Sequence, residues 1–178
     1  GLSDGHIDKP RAQKGGFGGG MFAIFVPSPG DKAVRHDEMR NPPYDIALPD
    51  QVSEIEATDW TDRGFDAMDD LEAAGAIRIC RTATAVAAAL PAEEMAAVIH
   101  IEGAEAIDRE FAKLNTWHAR GLRSLGPVWS RDTVWGHGVP FRYPSDPDTG
   151  PGLTDAGKAL IRECNRLKIL VDLSHLNA

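Results

Sequence analysis

The stretch Met95-Ala96-Ala97-Val98-Ile99-His100-Ile101-Glu102-Gly103 joins a nearly continuous apolar run to a carboxylate at its end. An apolar run of this length, bounded by turn residues, is typical of a strand that is buried on both faces in a parallel sheet. Gly103 marks the end of the predicted strand, which leaves Glu102 at the carboxyl end of that strand. Glu102 is therefore a candidate functional residue.

Similar apolar runs recur along the chain with helical segments between them. Strands are predicted over residues 6–8, 21–26, 95–102, 122–128 and 169–175, and helices over 54–74, 84–90, 107–120 and 154–167. This alternation favours parallel pairing with right-handed crossovers, as in an open doubly wound sheet or in a (β/α)8 barrel. We expect an α/β fold that forms a partial (β/α)8 TIM barrel of about the first five strands, because a full barrel needs about 250 residues.

The domain prediction follows from this partial barrel. Residues 1–178 are interpreted as the amino-terminal portion of a single (β/α)8 catalytic domain of a longer enzyme, with a long loop near 130–152. An open barrel leaves two sheet edges uncovered, and such edges are unstable unless another segment pairs with them.

Composition and charge exclude several classes of partner. The net charge is −8 and the basic residues are scattered, so nucleic acid is not expected as a partner. No apolar run approaches the roughly 18 residues that a transmembrane helix needs. Cys80 and Cys164 belong to no metal-binding or redox pattern and are expected to be buried thiols. The chain does not begin with Met, so the start of the protein is taken to be missing; the compartment stays open, with the cytoplasm favoured.

Four side chains at predicted strand ends are candidate metal ligands. His6 and Asp8 are two residues apart, so in a strand they point to the same face. Glu102 and His175 end two other predicted strands, and in a barrel the carboxyl ends of the strands meet at one mouth. Imidazole and carboxylate groups suit Zn²⁺. The alternative for Glu102 and His175 is a polar strand end that faces solvent or bonds a loop.

A series of short motifs follows one order along the chain. They are DGHID at 4–8, GGGMF at 18–22 before FVP at 25–27, IEGAEAID at 101–108, LTxxG at 153–157, NRL at 165–167 and VDLSH at 171–175. In order and spacing they resemble the successive motifs of the membrane (renal) dipeptidase family.

The resemblance implies a zinc-dependent barrel hydrolase that acts on dipeptides or related small amides. It implies two zinc ions, with His6 and Asp8 on the first, Glu102 bridging the pair and His175 on the second, and a bridging hydroxide that attacks the peptide carbonyl. Members of the family supply a further His, an Arg and an Asp from later strands, which this chain does not contain. We therefore expect this chain alone to be inactive. The expected partners are the dipeptide substrate and a second copy of the chain in a homodimer.

One position departs from the family pattern. Where the family usually has a His after the fourth strand, this chain has Trp129. His137, in a Gly-His-Gly segment of the following loop, is a candidate substitute, and a solvated loop His is the alternative. Trp129 and His137 are the candidate substrate-binding residues.

Two other functions fit parts of the same sequence. One is a barrel hydrolase of the amidohydrolase type, although those enzymes usually open with H-x-H and this chain has H-x-D. The other is a barrel that binds a small molecule after losing catalytic groups, as the residue at 129 hints. Among the remaining polar residues we expect a packed or hydrogen-bonded His100, barrel packing or a loop hydrogen bond for Asp172, and helix capping by Glu105 or Asp108.

Overall fold

The computed structural model describes residues 7–28, 37–91, 94–146 and 148–178. Within these residues the helices are α1 (Lys9–Lys14), α2 (Glu54–Ala73), α3 (Ala83–Ala89), α4 (Ala112–Arg120) and α5 (Asp155–Leu167), with a 3-10 turn at Glu38–Arg40. The strands are β1 (Gly19–Phe25), β2 (Tyr44–Ile46), β3 (Ile77–Ile79), β4 (Met95–Glu102), β5 (Leu122–Gly126), β6 (Phe141–Tyr143) and β7 (Leu170–Val171).

The main sheet of the described residues has five strands, and all of its pairings are parallel. Its order is β1-β4-β5-β7, and β3 pairs with the first residues of β4. A separate antiparallel pair joins β2 to β6. The parallel sheet with intervening helices confirms the predicted α/β class, and its open form is that of a partial barrel.

The register of the main sheet aligns the carboxyl ends of its strands. Glu102 of β4 lies opposite Phe25 of β1 on one side and Gly126 of β5 on the other. Val171 of β7 pairs with Leu125, and the Asp172 N–H donates to the Leu125 carbonyl at 2.9 Å. Phe25, Glu102, Gly126 and Asp172 therefore form one row across the sheet, called here the mouth row.

The core lies between this sheet and the helices that cross it. Ile99 and Ile101 of β4 are buried in it together with Phe65 of α2 and Trp117 of α4. The rings of Phe65 and Trp117 stack at a centroid distance of 5.9 Å. Both cysteines are buried and free, as expected from the sequence.

Two predicted strands differ from the structure. Residues 169–175 were expected to end as a strand on His175, but β7 stops at Val171 because the Asp172 carboxylate accepts the Ser174 N–H and turns the chain. Of the strand predicted at 6–8, His6 lies outside the described residues. Asp8 begins α1 rather than ending a strand.

Smaller differences concern a helix start and a short strand. The helix expected from residue 107 begins at Ala112, because the Asp108 carboxylate accepts the N–H groups of Ala112 and Lys113. Asp108 thus has the capping role expected for it. The sequence did not predict β3, whose three residues are too few to show a period.

Candidate metal centre

Glu102 and His175 come together at the carboxyl edge of the sheet. Nε2 of His175 lies 3.4 Å from Oε1 of Glu102, and about a third of each side chain is exposed. The pair belongs to residues 73 positions apart in the chain, so only the fold brings them together. An imidazole nitrogen and a carboxylate oxygen at this separation are two donors of the kind that bind Zn²⁺.

The His175 ring is held from its other nitrogen. Oγ of Ser130 lies 3.0 Å from Nδ1 of His175, and this contact leaves Nε2 directed at Glu102. Metal-binding histidines generally use the second ring nitrogen in this way, which fixes the orientation of the ring. The arrangement fits a metal-binding role for His175.

Ser130 and His175 both have left-handed backbone conformations. Their φ angles are +51° and +65°, a backbone conformation that residues other than Gly rarely adopt. Such strain costs about 1–3 kcal/mol per residue and persists only where the surroundings enforce it, often at functional sites. Phe111 and Lys168, the other described residues besides Gly with a positive φ, flank helices, whereas Ser130 and His175 contact each other, which supports a functional role for this corner of the structure.

A second polar pair lies beside the first. His100 is two residues before Glu102 on β4, and its Nδ1 is 2.9 Å from Oγ of Ser124, its partner on β5. Nε2 of His100 lies 3.5 Å from Oδ2 of Asp172. The expectations of a hydrogen-bonded His100 and of a loop hydrogen bond from Asp172 are confirmed.

The local environment shifts the pKa of both members of this second pair. Burial lowers the pKa of His100 below its ordinary value, against the charges of Asp172 and Glu102. Burial opposes ionisation of Asp172, but hydrogen bonds from Ser174 and the nearby histidines outweigh it, so the pKa of Asp172 lies below its ordinary value. At neutral pH the pair consists of a neutral imidazole and a carboxylate.

Asp8 is placed at the other end of the sheet. Its Oδ1 accepts the Arg11 N–H at 2.8 Å and its Oδ2 accepts from Nε of Arg11 at 2.7 Å, which caps α1. The side-chain and backbone hydrogen bonds from Arg11 lower the pKa of Asp8. The adjacent Lys9 donates to the Gly75 carbonyl at 2.7 Å, just before β3 starts, so this segment is anchored at the amino edge of the sheet.

The described residues therefore contribute two of the four predicted ligands to one place. Glu102 and His175 meet, Asp8 does not join them, and His6 lies outside the described ranges. Within those ranges, no group of three or more His, Cys, Asp or Glu side chains is placed to hold a metal ion. A sequence signal for the capping role of Asp8 was present: an Asp two residues before Pro10 is typical of a helix start.

An aromatic wall, formed by Phe25, Trp129 and Phe141, stands beside the His175–Glu102 pair. Trp129 meets Phe25 edge to face at 4.7 Å and Phe141 at 5.6 Å between ring centroids. Its ring centroid is 6.0 Å from that of His175. Trp129 therefore forms part of the wall beside the His175–Glu102 pair.

His137 lies in a loop that is hydrogen-bonded to the chain around His175. Its Nδ1 contacts Oδ2 of Asp132 at 2.9 Å, so the ring is oriented by a carboxylate. The Val139 N–H donates to the His175 carbonyl at 2.9 Å. Gly138 is required in this loop because a Cβ there would collide with the backbone of Ser130. The structure thus docks the His137 loop against the His175 segment.

Sequence reasoning missed a buried ion pair that fixes the mouth. Arg131 and Glu105 have fully buried side chains, and Nη2 of Arg131 is 2.7 Å from Oε1 of Glu105. Arg131 also donates to the Val26 carbonyl at 3.0 Å and to Oγ of Ser28 at 2.9 Å. Glu105 lies in the IEGAEAID motif, but the helix cap is Asp108 alone, and Glu105 is bound instead by Arg131, 26 positions away, a pairing for which the sequence carries no local signal.

Comparison with known proteins gives the same family as the motifs. The family model of membrane dipeptidases, peptidase family M19, matches residues 2–178. The chain belongs to the membrane dipeptidase family. Among the described residues, no helix has the length and apolar character that crossing a membrane requires.

Solved structures of this dipeptidase family match closely. A metallopeptidase from Rhodobacter sphaeroides, crystallised with a phosphinate mimic of the dipeptide L-Ala-D-Ala, is 47% identical, with a TM-score of 0.89 over 98% of this chain and 51% of its own. The dipeptidase AC, another M19 metallopeptidase, is also 47% identical, with a TM-score of 0.91 over 99% of this chain and 50% of its own.

A sequence relative shows the same partial coverage. A protein encoded in the PQQ-III 3′ region of Acinetobacter calcoaceticus is 36% identical over 97% of this chain and 54% of its own length. The chain thus spans about half the length of these dipeptidase-family relatives.

The buried ion pair generates a stability prediction. Arg131→Ala leaves the Glu105 carboxylate buried without its cation, which should lower the free energy of unfolding by about 3–5 kcal/mol. Urea unfolding followed by circular dichroism measures this. Arg142→Ala is the matched control, because Arg142 pairs with Asp45 on the surface and should cost no more than about 1 kcal/mol. Equal losses in the two variants would contradict a special role for Arg131.

The position of Asp8 generates a second prediction. We expect Asp8→Ala to lower the melting temperature of the metal-free protein, because α1 loses its cap, and to lower the zinc content of the complete protein, because the resemblance assigns Asp8 to the first zinc site. Metal analysis after dialysis, together with thermal unfolding, measures both effects. An unchanged zinc content in this variant would show that Asp8 serves only as the cap of α1.

Proposed function

We propose that this chain supplies about half of the barrel of a zinc-dependent dipeptidase. The observation that carries this proposal is the His175–Glu102 pair, in which a ring nitrogen and a carboxylate oxygen are 3.4 Å apart at the mouth of the sheet. Its place at the carboxyl ends of parallel strands is where barrel enzymes carry out their chemistry. Membership of the dipeptidase family supports the same reaction.

The proposed centre holds two zinc ions, which supply Lewis acidity to activate water and to polarise the peptide carbonyl when they are bound. Glu102 would serve both zinc sites and His175 would serve the second. His6 and Asp8 are assigned to the first site by the resemblance alone, and for Asp8 this assignment requires release from Arg11. Ser130 orients the His175 ring so that Nε2 stays free for the metal.

The proposed substrate is a dipeptide with small side chains. The aromatic wall of Phe25, Trp129 and Phe141 limits the space next to Glu102 and offers apolar surface to a methyl group. The Rhodobacter sphaeroides relative was crystallised with a mimic of L-Ala-D-Ala, whose side chains are this small. His137, oriented by Asp132, is the polar group of the docked loop that we assign to substrate binding.

A carboxylate substitution tests the metal centre. In the complete protein that contains this chain, Glu102→Gln should lower kcat for Ala-Ala dipeptides by at least about 100-fold and should reduce bound zinc, since the bridging charge is lost. Metal analysis and amine release measure the two effects.

The control for this test lies on the same segment of chain. Glu94 precedes β4 and pairs with Arg78 at the opposite edge of the sheet, so Glu94→Gln should keep both zinc and turnover. If Glu102→Gln retained all of its zinc and its full rate, Glu102 would have no part in the centre. The 178-residue chain alone should show no turnover; measurable hydrolysis by it would mean that the proposed half-barrel is already a complete catalyst.

A second prediction concerns substrate size. Trp129→Ala opens the aromatic wall, so the ratio of kcat/KM for Ala-Phe to that for Ala-Ala should rise by roughly 10-fold or more, as expected when a pocket gains the volume of several methylene groups. Tyr143→Ala is the control, because Tyr143 stacks on Tyr44 in the β2–β6 pair and is exposed. An unchanged ratio for Trp129→Ala would remove the wall from substrate selection.

A further inference from the structure

Asp172 occupies the last position of the mouth row. Its N–H donates to the Leu125 carbonyl at 2.9 Å, which sets it level with Glu102 two strands away. Its Oδ1 accepts the Ser174 N–H at 2.9 Å. A carboxylate that takes the N–H two residues further on closes an Asx turn, and this turn ends the strand immediately before His175.

The other oxygen of Asp172 is also engaged. Oδ2 lies 3.5 Å from Nε2 of His100, and Nδ1 of His100 lies 2.9 Å from Oγ of Ser124. His100 is 5% exposed and Ser124 is fully buried, so this support lies in the protein interior. These contacts connect the buried Ser124, through His100, to the Asp172 carboxylate.

The turn determines where His175 lies. After the turn the backbone of His175 takes a φ angle of +65°, and its ring reaches Glu102 with Nε2 at 3.4 Å. Had β7 continued as a straight strand, His175 would lie three residues beyond the row, about 10 Å from it at 3.3 Å per residue. The Asp172 turn is therefore the feature that returns the imidazole to the mouth.

We propose that Asp172 is a positioning residue, which, supported by His100, holds the His175 imidazole against Glu102 by closing the Asx turn. Asp172 acts through the backbone of Ser174 and contacts neither metal nor substrate itself. The inference rests on the proposed function in that His175 and Glu102 serve a metal, but the position of the ring is measurable without one.

Two substitutions at Asp172 separate a turn-forming role from a direct role of the charge. Asp172→Asn keeps the oxygen that accepts the Ser174 N–H and loses the charge, whereas Asp172→Glu keeps the charge on a side chain too long for the turn. If the turn is what matters, Asp172→Asn should bind zinc within about 3-fold of the unaltered protein. Asp172→Glu should bind it about 10–100-fold more weakly, the usual cost of losing the support of a ligand.

The metal-free protein supplies a second measurement. Ring ¹⁵N and ¹³C resonances of His175, assigned by comparison with His175→Gln, should shift in Asp172→Glu and stay in place in Asp172→Asn. Asp146→Glu is the matched control, because the Asp146 carboxylate accepts the Asp148 N–H at 2.9 Å in the same kind of turn on an exposed loop. It should change neither the resonances nor the zinc affinity. Thermal unfolding of each variant verifies that it is folded.

The opposite pattern, with Asp172→Glu intact and Asp172→Asn impaired, would show that the charge acts directly and would overturn the positioning role. Unchanged His175 resonances in both variants would overturn it as well. If the unaltered complete protein bound no zinc, the proposed function would fail. The resonances of the metal-free variants would still decide the role of Asp172.

Discussion

The parallel register of β4 with its neighbours is the constraint on which the site depends. Hydrogen bonding fixes Glu102 opposite Phe25 and Gly126, and β5 in turn fixes the level of β7. Side chains alternate along a strand, so a slip of one residue would turn Glu102 to the other face of the sheet. The site is therefore as well defined as the hydrogen bonds of the sheet that carries it.

Register alone brings the strand ends together, but the loops orient the side chains. Ser130 directs the His175 ring, and Ser130 is held next to Arg131, whose side chain is fixed to Glu105 and to the Val26 carbonyl. A buried ion pair adds little net stability compared with an apolar core, because both charges lose their hydration. Its benefit here is geometric: it ties the loops after β1, β4 and β5 into one arrangement around the mouth.

The sequence predicted what depends on local pattern. The bounds of β4 followed from its apolar run and Gly103, and α5 starts one residue after the predicted bound of 154, because Thr154 is its cap. Where two local patterns predicted different structures for the same residues, the prediction followed the wrong pattern. The H-x-D spacing suggested a strand end, yet Asp8 followed by Pro10 forms a helix cap. The apolar run that begins at Ile169 suggested a strand as far as His175, but the Asp172 turn ends it at Val171.

Contacts between distant residues have no local signal in the sequence. The His175–Glu102 pair was expected because strand ends meet in a barrel and because of the family resemblance, whereas neither argument pairs Arg131 with Glu105. Both depend on loops that follow the strands, and loops carry no period from which a position could be derived. Of the candidate site, the strand residues were therefore predicted and the side chains that orient them were not.

The two faces of β4 explain how one strand supports both fold and site. Ile99 and Ile101 point into the core with the helices, where their burial stabilises the sheet. The other face runs from Val98 through His100 to Glu102, and it becomes more polar toward the mouth. A histidine in an apolar run looks out of place from the sequence. On this face His100 contacts the buried Ser124 on one side and Asp172 on the other. Its polar ring therefore supports the site, while the opposite face of β4 maintains the fold.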